Sequence, residues 1–149
     1  VILAVQAHSG HSFRFWKKAN AEASLVEPAL DALRQMGMED RKDVIVSELS
    51  HGEQRQLEIS IALATSPKML LLDEPMAGMS VEDSTNLIGT LRELKGRLSI
   101  LLIEHDMDAV FSLADRITVL VYGRAIATGT PEEIRSNEEV RQAYLGEEE

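Results

Sequence analysis

The chain has 149 residues, of which 44% are hydrophobic, so it can bury a sizeable core and is not a disordered tail. Its 15 Lys and Arg against 25 Asp and Glu give a net charge of −10, which argues against binding to the phosphate backbone of nucleic acids. It contains no cysteine, and no apolar run approaches the ~18 residues that cross a bilayer. Disulfides, thiolate metal sites and a membrane-spanning helix are therefore not expected.

The first part of the chain has a helical pattern. Val1–Gln6 is apolar and fits either the end of a helix or a strand. Within Asn20–Met36 the apolar residues recur with helical spacing, and Pro28 inside that run marks a kink or a late start. Met38–Val46 is a charged connector.

From Ser50 onward, helical patterns alternate with short apolar runs. The expected elements are, in order, a helix from Ser50 to about Thr65, a strand at Met69–Leu72, a helix capped by Ser80, a strand at Ser99–Ile103, a short helix over Met107–Ala114, a hairpin of Ile117–Tyr122 and Ala125–Thr128, and a helical tail from Thr130. Both strands before residue 104 are continuous apolar runs, which is typical of strands buried on both faces. The alternation predicts an α/β fold in which a helical segment precedes part of an open parallel sheet.

Two acids, Asp73 and Glu74, directly follow the first predicted strand. Ligands bind beyond the carboxyl ends of strands in such sheets, and strand alternation turns the two carboxylates in different directions. One acid can hold the hydration shell of Mg²⁺ while the other faces an attacking water, as hydrolysis of a nucleoside triphosphate requires. An ordinary solvated acidic turn explains the same residues equally well.

Two further elements offer contacts to phosphate. Ser50 and Gly52 lie at the start of a predicted helix, where free N–H groups suit an anion. An ordinary capped helix is the alternative there. His105 follows the second strand and can donate a hydrogen bond to a γ-phosphate, although an exposed loop histidine is the default for any single histidine.

Together, the order and spacing of these elements resemble the ATP-binding-cassette (ABC) ATPases. Leu49–Glu53 resembles the signature motif, Met69–Glu74 the Walker B strand with its catalytic glutamate, Met76–Ser80 the D-loop, and His105 the switch histidine. The resemblance implies the cofactors ATP and Mg²⁺, with Asp73 holding the metal through water and Glu74 and His105 in catalysis. It implies that Ser50, Gly52 and Glu53 contact the ATP of a partner subunit in trans.

Several phrases, among them Ser50–Gln56 and the ending Ala143–Gly146, most resemble ATPases of branched-chain amino acid importers. The resemblance implies three regions: part of a helical subdomain at 1–66 that ends in the signature helix, the C-terminal half of a RecA-like P-loop NTPase core at 67–129, and a helical acidic tail at 130–149. It also implies cytoplasmic location on the inner face of the plasma membrane, with transmembrane permease subunits, a second ATPase subunit and, indirectly, a periplasmic binding protein as partners, and no nucleic acid.

The sequence departs from the family pattern at three positions, with His51 for a glycine, Glu53 for a glutamine and Ser80 for the D-loop aspartate. None of its nine glycines begins a G-x-x-x-x-G-K-[ST] loop, and the Q-loop glutamine is also missing. We expect both upstream of Val1, and we expect the 149 residues alone to be inactive. Two alternatives stay open, the ATPase head of a chromosome-maintenance or DNA-repair protein and a non-catalytic interaction fragment.

Overall fold

The computed structural model describes residues 1–9 and 22–145, which fall in two compact units, Val1–Ile103 and Glu104–Glu149. Residues 10–21 of the predicted helical region, among them Asn20 and Ala21, and residues 146–149 of the predicted tail lie outside the described residues. The predicted regions 1–66, 67–129 and 130–149 stay a prediction about a larger domain.

The first unit begins with helices. Its helical elements are α1 (Ile2–His8), α2 (Ala23–Gln35), 3₁₀ turns at Glu39–Arg41 and Val46–Glu48, α3 (His51–Leu63) and α4 (Val81–Leu94). Val1–Gln6 therefore belongs to a helix and not to a strand. Because α2 begins at Ala23, the prediction that Pro28 marks a late start is wrong, and the proline lies inside the helix. Buried residues at helical spacing hold α2 in place: Leu25, Ala29, Ala32 and Leu33.

The starts of α3 and α4 are fixed by the capping residues that the sequence predicts. The Ser50 hydroxyl accepts a hydrogen bond from the backbone N–H of Glu53, and the Glu53 carboxylate accepts one from the backbone N–H of Ser50. At α4, Ser80 accepts from the backbone N–H of Asp83. Each cap satisfies a backbone donor that the first helical turn leaves without a partner.

Two parallel strands, β1 (Met69–Asp73) and β2 (Ser99–Ile103), form a sheet in which Leu71 lies opposite Leu101. Helix α4 connects them, so the predicted strand–helix–strand unit is confirmed. The prediction that both faces of the sheet are buried is wrong, however, since Leu70 and Leu72 are buried whereas Leu71 is 68% exposed. Met69, Leu101 and Ile103 are exposed as well. Within the described part of the chain, only one face of the pair is covered.

The second unit is built on a hairpin. Helix α5 (Met107–Leu113) precedes the antiparallel strands β3 (Ile117–Val121) and β4 (Arg124–Gly129), and the tail forms α6 (Pro131–Ser136), α7 (Glu138–Val140) and a π turn at Arg141–Leu145. Tyr122 and Gly123 both have positive φ angles, of 48° and 75°, as a tight hairpin turn requires. The core contains residues from the hairpin and the tail: Ile117, Val119, Ile134 and Val140.

Candidate functional site

The carboxyl end of β1 places two acids side by side. Asp73 is the last residue of the strand and lies opposite Ile103 of β2. The backbone N–H of Glu74 continues the ladder by donating to the Ile103 carbonyl at 2.9 Å. Both acidic residues are exposed. The first unit therefore presents Asp73 and Glu74 at the carboxyl end of β1, with Asp73 inside the strand and Glu74 directly after it.

Glu74 has a left-handed backbone, with φ of 45°. Such a conformation costs a non-glycine residue roughly 1–3 kcal/mol, and it is found mostly where function or the surrounding structure requires it. Two hydrogen bonds hold it, since the Glu74 N–H is bound to β2 and its carbonyl accepts from the N–H of Ala77 at 3.1 Å. The chain turns at Glu74, so its side chain no longer follows the alternation of β1. Sequence reasoning missed this turn.

The donor set at this strand end fits Mg²⁺ held largely by water and phosphate. No group of three or more His, Cys, Asp or Glu side chains comes together as a metal site within residues 1–9 and 22–145. Mg²⁺ usually keeps several waters and takes one or two carboxylates together with the phosphates of its substrate. The single exposed carboxylate of Asp73 is compatible with that arrangement, so Asp73 is the residue that could hold the metal through water.

At the start of α3, the Glu53 carboxylate is used by the protein itself. Its Oε2 accepts from the Ser50 backbone N–H at 2.8 Å, and its Oε1 lies 2.7 Å from Nε of Arg41. The hydrogen bond from the Ser50 backbone, and then the charge of Arg41, lower the pKa of Glu53, so the carboxylate stays ionised. Its contact with ATP stays a prediction. The structure shows it shaping the helix start that Ser50 and Gly52 occupy.

Gly52 lies against α4, and this contact explains why a glycine is present. A Cβ atom added at Gly52 would be 2.9 Å from Cγ of Asp83 and 3.0 Å from its Oδ2. The same Oδ2 accepts a hydrogen bond from the Ser80 hydroxyl at 2.7 Å. Ser80 stands where the family has the D-loop aspartate, so the first residues of α3 and α4 meet through Ser80, Asp83 and Gly52. No pattern in the sequence indicates this contact.

The second unit holds His105 in a separate environment. The His105 side chain is 72% exposed, and its backbone N–H donates to Oε2 of Glu104 at 3.1 Å. The Glu104 side chain is only 2% exposed, and Asp106 caps α5 by accepting from the N–H groups of Asp108 and Ala109. Because Glu74 belongs to the first unit, its proximity to His105 stays a prediction.

Comparison with known proteins gives two family matches. Residues 4–77 match the model for "ABC transporter", and residues 126–149 match that for "Branched-chain amino acid ATP-binding cassette transporter". The chain belongs to the ABC transporter family. This confirms the resemblance drawn from the signature, Walker B and D-loop residues, and it confirms the α/β fold. The roles of the individual site residues stay predictions.

Named relatives are ATP-binding proteins of transport systems. The chain is 41% identical over 134 residues to the high-affinity branched-chain amino acid transport ATP-binding protein LivG of Salmonella typhimurium, covering 89% of the chain and 52% of LivG. It is 38% identical to BraF of Pseudomonas aeruginosa, a protein of the same description, over 85% of the chain and 51% of BraF. The chain therefore spans about half the length of the curated relatives it matches.

Solved structures give the same picture. The chain aligns with MJ1267, an ATP-binding cassette of an ABC transporter, in its ADP conformation, with a TM-score of 0.77 and 29% identity over 98% of the chain and 61% of MJ1267. Across the part of the chain that the structure describes, no helix is both long and apolar enough to span a membrane.

Proposed function

We propose that the protein carrying this chain is the ATP-hydrolysing subunit of an importer for branched-chain amino acids and that hydrolysis drives movement of its permease. The observation that carries the proposal is the end of β1, where Asp73 closes a parallel strand and Glu74 turns out of it in a left-handed conformation. The relatives LivG and BraF are described as branched-chain amino acid transport ATP-binding proteins, which supports the cargo.

In this proposal, residues of both units have separate roles in hydrolysis. Asp73 would hold the hydration shell of Mg²⁺, and the ion would supply neutralisation of the phosphate charge. Glu74 orients the attacking water and accepts its proton as a general base, which typically contributes ~10²–10⁴ in rate. At the start of α3, Ser50 and Gly52 meet the γ-phosphate of ATP bound mainly by a second ATPase subunit. His105 donates a hydrogen bond to the γ-phosphate of the ATP on which Glu74 acts, not of the ATP that Ser50 and Gly52 meet in trans.

The proposed partners follow from this division. These 149 residues contain no G-x-x-x-x-G-K-[ST] motif, and we propose that a second ATPase subunit, identical or not, binds across the signature helix. Transmembrane permease subunits receive the movement, and a periplasmic binding protein acts indirectly through them. We propose that the protein lies in the cytoplasm, peripherally on the inner face of the plasma membrane. The 149 residues alone are expected not to hydrolyse ATP.

The test is ATP turnover by the assembled transporter with Glu74→Gln, which keeps the size of the side chain and removes the base. Hydrolysis should fall by ~10²-fold or more while Mg-ATP stays bound. Glu93→Gln is the matched control, since Glu93 is an exposed glutamate in the last turn of α4 and has no proposed role. Turnover of Glu74→Gln equal to that of the control would remove Glu74 from the proposed role.

The cargo is tested separately from the hydrolysis. Leucine, isoleucine or valine with the binding protein should stimulate ATP turnover of the wild-type transporter. The chain is also 38% identical over 80% of its length to the lipopolysaccharide export system ATP-binding protein LptB of Escherichia coli. Hydrolysis without any response to these amino acids would keep the ATPase proposal and refute the cargo.

A further inference from the structure

One carboxylate, that of Glu53, accepts from two donors on different parts of the chain. Its Oε2 receives the Ser50 backbone N–H at 2.8 Å, and its Oε1 receives Nε of Arg41 at 2.7 Å. The reciprocal bond of the capping box, from the Glu53 N–H to the Ser50 hydroxyl, is longer at 3.2 Å. The Glu53 side chain is 23% exposed and that of Arg41 is 55% exposed, so the pair is partly exposed to water.

The two donors face different oxygens of the carboxylate, Ser50 at Oε2 and Arg41 at Oε1. With this side-chain placement, a glutamine would turn its NH₂ group toward one of the two donors and would carry no charge to pair with Arg41. Glutamine at position 53, where the family motif usually has it, can cap Ser50 but loses the ion pair with Arg41. The ion pair with Arg41 therefore gives a structural reason for glutamate, in place of glutamine, at position 53.

Arg41 is itself anchored to α2. It ends the 3₁₀ turn Glu39–Arg41, and the first residue of that turn is bound by Arg34 near the end of α2. Arg34 lies 2.8 Å from Oε1 of Glu39 through Nη2, and its Nη1 donates to Asp31 at 2.7 Å. This chain of ion pairs links α2, through the turn, to the carboxylate that caps α3.

We propose that Arg41 is a positioning residue for the trans-acting ATP contact: it fixes the Glu53 carboxylate against the Ser50 amide and thereby orders the N-terminal turn of α3. The consequence for hydrolysis rests on the function proposed above, whereas the ordering of the turn does not. Arg41 does not touch nucleotide in this account, and it acts through Glu53 on Ser50 and Gly52. The position of α2 is thereby transmitted to the signature turn.

Amide hydrogen exchange in the assembled transporter tests the ordering. In Arg41→Gln, the Ser50 amide should exchange about 2- to 5-fold faster, the effect expected for loss of a partly exposed charge pair. Arg55→Gln is the matched control, since Arg55 is also an exposed arginine 2.7 Å from a glutamate, Glu58, but it bonds within α3 away from the cap. The control should leave the Ser50 amide unchanged, and equal effects of both variants would overturn the ordering step.

ATP turnover tests the positioning role. Arg41→Gln and Glu53→Gln should each lower kcat by a similar factor, up to about 5-fold, and together no more than either alone, because they break one bridge. Arg41→Lys should retain most of the rate, since it keeps a positive charge beside Glu53, and the melting temperature of Arg41→Gln should match that of Arg55→Gln. Additive losses, or a kcat loss in Arg55→Gln as large as in Arg41→Gln, would refute a specific role.

The two proposals fail in different ways. A wild-type transporter without ATP turnover would refute the proposed function together with the catalytic consequence of Arg41, and faster Ser50 exchange in Arg41→Gln would then still uphold the ordering. The Arg41 proposal alone is refuted if the wild-type transporter hydrolyses ATP and the Arg41→Gln variant shows unchanged kcat and unchanged exchange of the Ser50 amide.

Discussion

Substituting Gly52 by alanine tests the contact between α3 and α4. Glycine inside a helix is normally destabilising by roughly 0.5–1 kcal/mol relative to alanine, so Gly→Ala should stabilise wherever the space is open. At Gly52 the new Cβ would lie 2.9 Å from Cγ and 3.2 Å from Cβ of Asp83, closer than van der Waals contact allows. Asp83 resists displacement because it lies in the first turn of α4 and binds the Ser80 hydroxyl.

The two effects oppose each other, and the clash should prevail. Overpacking of this kind typically costs about 1–3 kcal/mol, so the net loss for Gly52→Ala should be roughly 0.5–2 kcal/mol in the free energy of unfolding. Gly89 of α4 is the matched control because a Cβ added there would meet no atom within 4 Å, and Gly89→Ala should stabilise by about 0.5–1 kcal/mol.

The assay is equilibrium urea unfolding followed by circular dichroism, with Asp83→Ala as the second arm. Once Asp83 is truncated, Gly52→Ala should become neutral or stabilising, so that the sign of its effect reverses. If Gly52→Ala stabilises the otherwise unchanged protein as much as Gly89→Ala does, Asp83 does not occupy the space beside Gly52 and the reasoning fails.

Three further outcomes are expected. The Ser50 N–H lowers the pKa of Glu53 in the folded protein, so the Glu53 carboxylate stabilises the fold at pH values above the ordinary glutamate pKa of 4.5, and this stabilisation is lost as pH falls through the folded pKa. Glu53→Gln should therefore flatten the dependence of the free energy of unfolding on acid pH in urea titrations. Parallel curves for the variant and the wild type would contradict this prediction. Ser50→Ala should cost ~0.5–2 kcal/mol, whereas Ser50→Asp should keep the cap and block the ATP-bound dimer in light scattering, and a normal dimer would leave Ser50 only a cap. His105→Ala should cut hydrolysis strongly with an unchanged melting temperature, and an active but unstable variant would favour a structural histidine.

The helix starts and the hairpin could be predicted from sequence because their causes are local. Ser50 and Glu53, like Thr130 and Glu133, satisfy backbone donors three residues away. The hairpin is local as well, although its turn lies at Tyr122 and Gly123, one residue before the position that the sequence predicts, Gly123 and Arg124. Such interactions do not depend on residues distant in the sequence, so short sequence patterns are enough to predict them.

Burial and distant contacts could not be predicted in the same way. Apolar runs at β1 and β2 indicate a buried sheet, but the exposure of Leu71 depends on what covers that face. The left-handed Glu74 precedes Pro75, a position where sequence rules favour an extended backbone. The pairing of Arg41 with Glu53 joins residues that no periodic pattern connects.

The central claim is that the end of β1 acts on ATP in its own subunit while the start of α3 contacts ATP in trans, and amide exchange in the Glu74→Gln transporter tests the trans contact most directly. With hydrolysis blocked, Mg-ATP should slow exchange at the His51 and Gly52 amides by about tenfold or more, because a bound γ-phosphate would accept from the free N–H groups of the first helical turn. If the same variant binds nucleotide but its His51 and Gly52 amides exchange as fast as they do without nucleotide, the central claim is contradicted.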